Sequence, residues 1–402
     1  MNKTKLDDWI CRVEALPELN REILEELQLC RLNETLSRVA ARAGAYRDLP
    51  RQLSSLDELK NLPFTTPDML SQAPGKFLLL SQGEIQRVIS GDTSGTTGAP
   101  KRIFYTARDL EHTMGFFAAG ISEMLRPREK CLIAFPFHGP FALGDLIARA
   151  VERLGAVPIP AGNPQTWEDW CCRIEETRPD AWIGFPALLL GVARMYGPDF
   201  PIRKALISAD ACPPGITGPL EDLLGSRLFP HYGSRECGLG GAVTCPAFQG
   251  MHLRENHILA EIVDETGSPV PDGQWGELVI TTIGLEAMPL IRYRTGDRTR
   301  FLPSCPCGGV TRRIDRVTRM EPGPAMADVD DAVFPLPGVV DCRGTLLGNR
   351  LCLDVLRAGT AGGEDLLPAL EQRFPDLEIQ VTVTPAVRES APLYPGKRFI
   401  HQ

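Results

Sequence analysis

The feature that most limits how this chain can fold is a rhythm between residues 109 and 230, where short apolar runs alternate with helical stretches. "CLIAFPF", "AVPIP", "AWIGFP" and "KALISA" are strand-length, and stretches such as "DLIARAVERLGA" carry helical periodicity between them. Repetition of strand, helix and strand predicts a mainly parallel sheet covered by helices. Residues 5–47 read as helices with apolar positions three and four apart, and "NLPFTTPDML" predicts a turn with Thr66 or Asp68 near a helix start. After residue 255 the pattern changes. "HILAEIVDETGSPVPDGQWGELVITTI" reads as strands and turns, which suits an antiparallel sheet or a small barrel-like part. A last block, about 317–402, holds "LCLDVLR", the helical "GEDLLPALEQRFP" and "EIQVTVTP", a small α+β unit. The expected class is α/β: a large N-terminal part with mainly parallel sheet, then a small C-terminal domain.

Residues 91–100, "GDTSGTTGAP", pack glycine, serine and threonine between "EIQRVIS" and "RIFYT", both of which read as strands. Glycines let backbone N–H groups converge, hydroxyls add uncharged donors, and Lys101 adds a cation, so the loop suits a polyphosphate. It is neither a Walker A loop nor a dinucleotide fingerprint, and a plain surface turn remains the other reading of the stretch by itself.

The chain has 402 residues, enough for two or three domains, and a net charge of −8 that argues against a general nucleic-acid surface. Its N-terminal stretch is charged throughout, and no later run reaches the ~18 apolar residues of a membrane span. A cytoplasmic protein without membrane attachment is expected. Twelve cysteines spread over such a chain read mostly as buried thiols. Cys245, Cys305 and Cys307 stand apart: with His252, or with His257 in its place, they make a tetrahedral set of soft ligands that favours zinc.

Taken in order, five motifs resemble the adenylate-forming (acyl- and aryl-CoA synthetase) superfamily, and within it the phenylacetate-CoA ligase branch. They are "LDELKNLPFTTPDML", "TSGTTGAPKR", "HYGSRECG" (231–238), "EAMPLIRYRTGD" (286–297) and "YPGKRFI" (394–400). The resemblance implies an AMP-binding domain over residues 1–316 and a mobile lid over 317–402. It also implies a reaction, in which a carboxylate attacks the α-phosphorus of ATP and a thiol, usually coenzyme A, then displaces AMP.

Roles follow for individual positions. Thr93, Ser94, Gly95, Thr96, Thr97, Gly98 and Lys101 would surround the phosphates, with Thr97 in the catalytic set. Glu236 is placed like the magnesium ligand. Tyr232, with Gly233 and Ser234, would meet adenine, and Asp210 sits near a loosely matching adenine contact. Asp297 would accept hydrogen bonds from both ribose hydroxyls, Arg316 belongs to the hinge at the nucleotide, and Lys397 is placed like the catalytic lysine. Members of the branch can carry a Cys/His metal site, which gives the zinc a structural role. Phe137, His138, Phe141, Phe185 and Gly238 are candidates to line the acyl pocket, and the phenylalanines suggest an apolar or aromatic acid.

One departure stands out. Relatives have an acidic pair at the hinge where this chain has Thr318 and Arg319, and the loop that follows looks shorter. That loop serves the thiol step, so adenylation is better supported than transfer to coenzyme A. A carrier protein or a hydroxyl is the alternative acceptor, a non-catalytic nucleotide-binding protein the alternative of another class. A homodimer is admissible.

Overall fold

The computed structural model describes residues 4–42, 44–91, 101–138, 141–320, 323–359, 362–394 and 396–401. The chain divides into two compact units. One comprises Met1–Glu123 and His231–Met320, the other Met124–Pro230 and Glu321–Gln402.

In the first unit, helices Lys5–Val13 and Arg21–Ala40 start where Thr4 and Asn20 accept backbone N–H groups of the first turn. Their buried faces, with Trp9, Ile10, Leu24, Leu32 and Leu36, form part of the core. Thr66 is the N-cap of helix Pro67–Gln72, as one of the two expected starts has it. The strand expected from residue 84 begins instead at Arg87, because Ser81 and Glu84 form a capping box around a short 3-10 turn. Helix Ala107–Ile121 opens with a capping box between Thr106 and Asp109. An antiparallel sheet runs in the order Ile258–Val263, Gly276–Thr282, Tyr293–Thr299 and Thr318–Arg319, as the change of pattern after residue 255 predicts. A second antiparallel set pairs His231 and Tyr232 with Ala242–Thr244, then Met251–Leu253, Arg313–Ile314 and Phe301–Leu302.

The second unit contains the parallel sheet. Val157–Pro160, Lys130–Ile133, Ala181–Gly184, Lys204–Ile207 and then Phe229 and Pro230 lie side by side, all parallel. Helices Leu143–Arg153, Pro186–Tyr196 and Pro214–Leu224 lie in the connections, and Ala181–Gly184 is buried throughout, as a strand covered on both faces should be. In the same unit Val339–Leu347 pairs antiparallel with Arg350–Arg357, which pairs parallel with Glu378–Pro385. Helix Met326–Val333 comes so close to Gly215 that an added Cβ there would stand 2.6 Å from the Asp330 carbonyl oxygen, so only glycine fits. Among the described residues no helix is long and apolar enough to cross a membrane.

Candidate active site

The loop candidates Thr93, Ser94, Gly95, Thr96, Thr97 and Gly98 lie outside the described residues. The strands that carry the loop, Arg87–Gly91 and Lys101–Tyr105, pair antiparallel with Gly91 opposite Lys101. Lys101 is buried and donates to Glu236 Oε1 at 2.7 Å and to the Tyr293 hydroxyl at 3.1 Å. Tyr293 in turn donates to Glu236 Oε1 at 3.2 Å. Burial pushes the Glu236 carboxyl up, but the charge and hydrogen bond of Lys101 outweigh it and hold the group below the ordinary glutamate range. Glu236 is therefore an ionised carboxylate, although it is only 6% exposed.

Local backbone geometry aims Glu236 inward. A Cβ on Gly233 would lie 2.1 Å from the Leu239 carbonyl oxygen, so the turn closes only with glycine there. Ser234 Oγ accepts from the Cys237 amide at 3.3 Å, and the Ser234 carbonyl accepts from the Leu239 amide at 2.8 Å. Gly238 has φ +74, and its carbonyl accepts from Thr113 Oγ1 at 2.8 Å.

Asp297 lies in strand Tyr293–Thr299, with Arg319 opposite it on the neighbouring strand. The Tyr232 hydroxyl donates to Asp297 Oδ2 at 2.8 Å, and Arg319 Nη1 donates to Oδ1 at 3.2 Å. Arg319 is thus the ion-pair partner of the ribose candidate. Arg316 is exposed, its guanidinium 5.8 Å from the Trp275 ring centre.

The remaining candidates outside the Cys/His set lie in the second unit. Phe185, at the end of the buried strand Ala181–Gly184, packs edge-on against Phe135 at 4.9 Å. Phe141 has φ +57 and lies under the Arg149 guanidinium, while His138 is exposed. The Phe137 ring fills the space beside Gly144. Asp210 Oδ2 accepts from the Arg398 amide at 3.1 Å. Burial pushes the Asp210 carboxyl up, and the charges of Arg398 and Lys397 pull against it. Lys397 is exposed. The residue before it, Gly396, stands where an added Cβ would be 3.8 Å from Phe185 Cζ. The structure thus brings the lysine's own stretch of backbone to two other candidates, Asp210 and Phe185.

Cys245, His252, Cys305 and Cys307 converge in the first unit, their ligand atoms all within 4.8 Å of one another. Cys245 follows strand Ala242–Thr244, His252 lies in Met251–Leu253, and the other two cysteines sit in the turn after Phe301–Leu302. Cys245 and Cys305 sulfurs are 3.7 Å apart, and Cys307 Sγ is 3.4 Å from His252 Nε2. His252 Nδ1 lies 3.1 Å from the Thr311 carbonyl oxygen, and a proton donated there leaves Nε2 as the lone-pair nitrogen facing the sulfurs. His257 bonds Arg254 at 3.0 Å and lies outside the cluster, so His252 is the member.

Tyr293, Arg319 and Arg398 join these clusters without having been singled out for them. Tyr293 and Arg398 lie inside quoted motifs, but no local pattern distinguishes a tyrosine that faces a glutamate 57 residues away.

The AMP-binding enzyme family matches residues 93–287. Phenylacetate-coenzyme A ligase from Thermus thermophilus is 31% identical over 346 residues, 80% of this chain and 73% of that protein. The Pseudomonas putida enzyme of the same description is 31% identical over 74% of this chain and 70% of its own length. A crystal structure of 2-hydroxyisobutyryl-CoA ligase in the postadenylation state aligns with a TM-score of 0.77 at 19% identity, covering 95% of this chain and 90% of that one. At that identity the likeness is one of fold.

Proposed function

The chain belongs to the phenylacetate-coenzyme A ligase family of adenylate-forming enzymes, and on that footing we propose that it joins a carboxylic acid to coenzyme A at the expense of ATP. The acid's carboxylate oxygen attacks the α-phosphorus, pyrophosphate leaves, and the thiol of coenzyme A then displaces AMP from the acyl carbon. The observation that carries the reading is the buried cluster of Lys101, Glu236 and Tyr293 at the end of the Gly/Ser/Thr loop.

Each step concentrates negative charge, and the side chains answer it. Lys101 and the loop hydroxyls, that of Thr97 among them, would meet the phosphates. Asp297 takes the ribose hydroxyls, and Tyr232, Gly233 and Ser234 meet the base. Lys397 supplies a cation to the oxygens around the α-phosphorus during adenylation, where a positioned ammonium favours the transition state over the ground state. Glu236 is ionised and buried, which fits a hard cation, and would hold the magnesium that neutralises phosphate charge. Cys245, His252, Cys305 and Cys307 would hold a structural zinc: three thiolates and an imidazole leave no position open for chemistry.

We include in the proposal a lid over residues 317–402 that moves between the half-reactions, and an aromatic or apolar acid as substrate, for which Phe137, Phe141 and Phe185 speak. The test is to supply ATP, magnesium and coenzyme A with a panel of aryl and alkyl acids. AMP and acyl-CoA should appear in equal amounts with at least one apolar or aromatic acid. AMP without acyl-CoA would move the acceptor to a carrier protein or a hydroxyl, and no AMP with any acid would end the ligase reading.

A further inference from the structure

The side chain next to the candidate lysine is one of the most deeply anchored in its unit. Arg398 is 4% exposed and donates to Asp330 Oδ1 at 2.6 Å and to the Cys342 carbonyl at 2.9 Å, with Asp341 Oδ1 3.9 Å from its Nε. The guanidinium lies over the Phe334 ring at 4.9 Å. Its own amide donates to Asp210. Asp341 holds the same segment further back, where Oδ2 accepts the Leu393 amide at 2.7 Å and the Tyr394 amide at 3.2 Å. Beyond it, the His401 amide donates to the Gly344 carbonyl at 2.9 Å, and the Leu346 amide to the His401 carbonyl at 2.7 Å.

An exposed lysine on an irregular segment is ordinarily free to move. Here Leu393, Tyr394, Arg398 and His401 are each tied down by buried or ladder hydrogen bonds, and Lys397 is left exposed between them. We propose that Arg398 is the positioning residue for Lys397: its buried guanidinium and its amide fix the backbone from which the lysine acts in adenylation. This rests on the role given to Lys397 above. The guanidinium faces two buried carboxyls, Asp330 and Asp341, and its charge, with that of Lys397, also acts on the half-buried Asp210, so its removal takes away the cation that Asp330 and Asp341 share. Burial pushes Asp330 up to about 7 even with the arginine present.

The test compares Arg398→Lys, Lys397→Ala and the double variant in both half-reactions. Arg398→Lys keeps a cation but loses the planar fork that reaches Asp330 and the carbonyl together. Misplacing a catalytic group by about 1 Å costs on the order of a hundredfold, so adenylation by Arg398→Lys should fall about 30-fold or more. The Michaelis constants should stay within about threefold. Transfer of the acyl group from preformed acyl-adenylate to coenzyme A should stay near wild type. Because the arginine acts through the lysine, the double variant should be no slower than Lys397→Ala alone.

Wild-type adenylation by Arg398→Lys, a parallel loss in both half-reactions, or multiplying losses in the double variant would each overturn the proposal while leaving the lysine's role standing. Wild-type adenylation by Lys397→Ala would instead remove that role, and the positioning inference with it. Should Arg398→Lys fail to fold, Asp330→Asn keeps the shape and weakens the same pair. The same pattern is then expected with a loss of about fivefold or more, and unchanged adenylation would be refuting.

Discussion

Replacing Lys101 by methionine tests the central cluster through its energetics. In the wild-type chain the Lys101 and Glu236 side chains are 9% and 7% exposed and 2.7 Å apart, and the pair is completed by Tyr293. Methionine keeps most of the volume and removes the charge, which leaves a buried carboxylate with only a tyrosine hydroxyl as donor in the cluster. Breaking a buried pair from one side costs about 3–5 kcal/mol. The pH dependence has a definite sign. With Lys101 present the folded-state pKa of Glu236 is lowered, so the pair contributes stability above the unfolded-chain value, and this is lost as pH falls through the lowered one. Without Lys101, burial, the largest influence on the group, is opposed only by the weaker pulls of the Glu236 backbone amide and the Arg235 charge, and the folded-state pKa rises, so the penalty is full at high pH and shrinks as acid protonates the carboxyl. Urea unfolding of Lys101→Met should therefore show a loss of about 3–5 kcal/mol at pH 8 and a smaller one near pH 5. Adding Glu236→Gln should recover a substantial part of the pH 8 loss. An equal loss at both pH values, or a double variant as unstable as the single one, would refute the reasoning.

The Cys/His cluster predicts about one equivalent of tightly held zinc per chain, and Cys305→Ser should lower both zinc content and melting temperature, because structural zinc binding is coupled to folding. Fully folded protein that purifies without metal would rule this out. Asp297→Ala should weaken ATP binding by about 2–4 kcal/mol through lost charge-assisted hydrogen bonds, with the fold intact. Tyr232→Phe, which removes only the hydroxyl that donates to Asp297, should weaken it less, and equilibrium nucleotide titration separates the two.

Much of this was legible in local pattern. Short apolar runs between helical stretches announced the parallel strands from Lys130–Ile133 to Lys204–Ile207, since a strand buried on both faces must be apolar along its length. Thr66 betrayed a helix start through its side-chain chemistry. Cys-x-Cys marked the metal candidates, but the choice between His252 and His257 needed the register that sets His252 opposite Arg313. What escaped was long-range pairing. Nothing near Lys101 indicates that its ammonium meets a carboxylate 135 residues away, and nothing near Asp330 or Asp341 marks them as partners of Arg398. The strand start at Arg87 was missed because the Ser81–Glu84 box competes locally with extension.

The measurement that tests the account most directly is isotope exchange between pyrophosphate and ATP in the presence of a carboxylic acid and the absence of coenzyme A. Reversible formation of an acyl-adenylate predicts exchange that depends on the acid, needs no thiol, and falls about a hundredfold or more in Lys397→Ala. A broad panel of aryl and alkyl acids that supports no exchange above the acid-free rate, with protein that is folded and binds ATP, would contradict it.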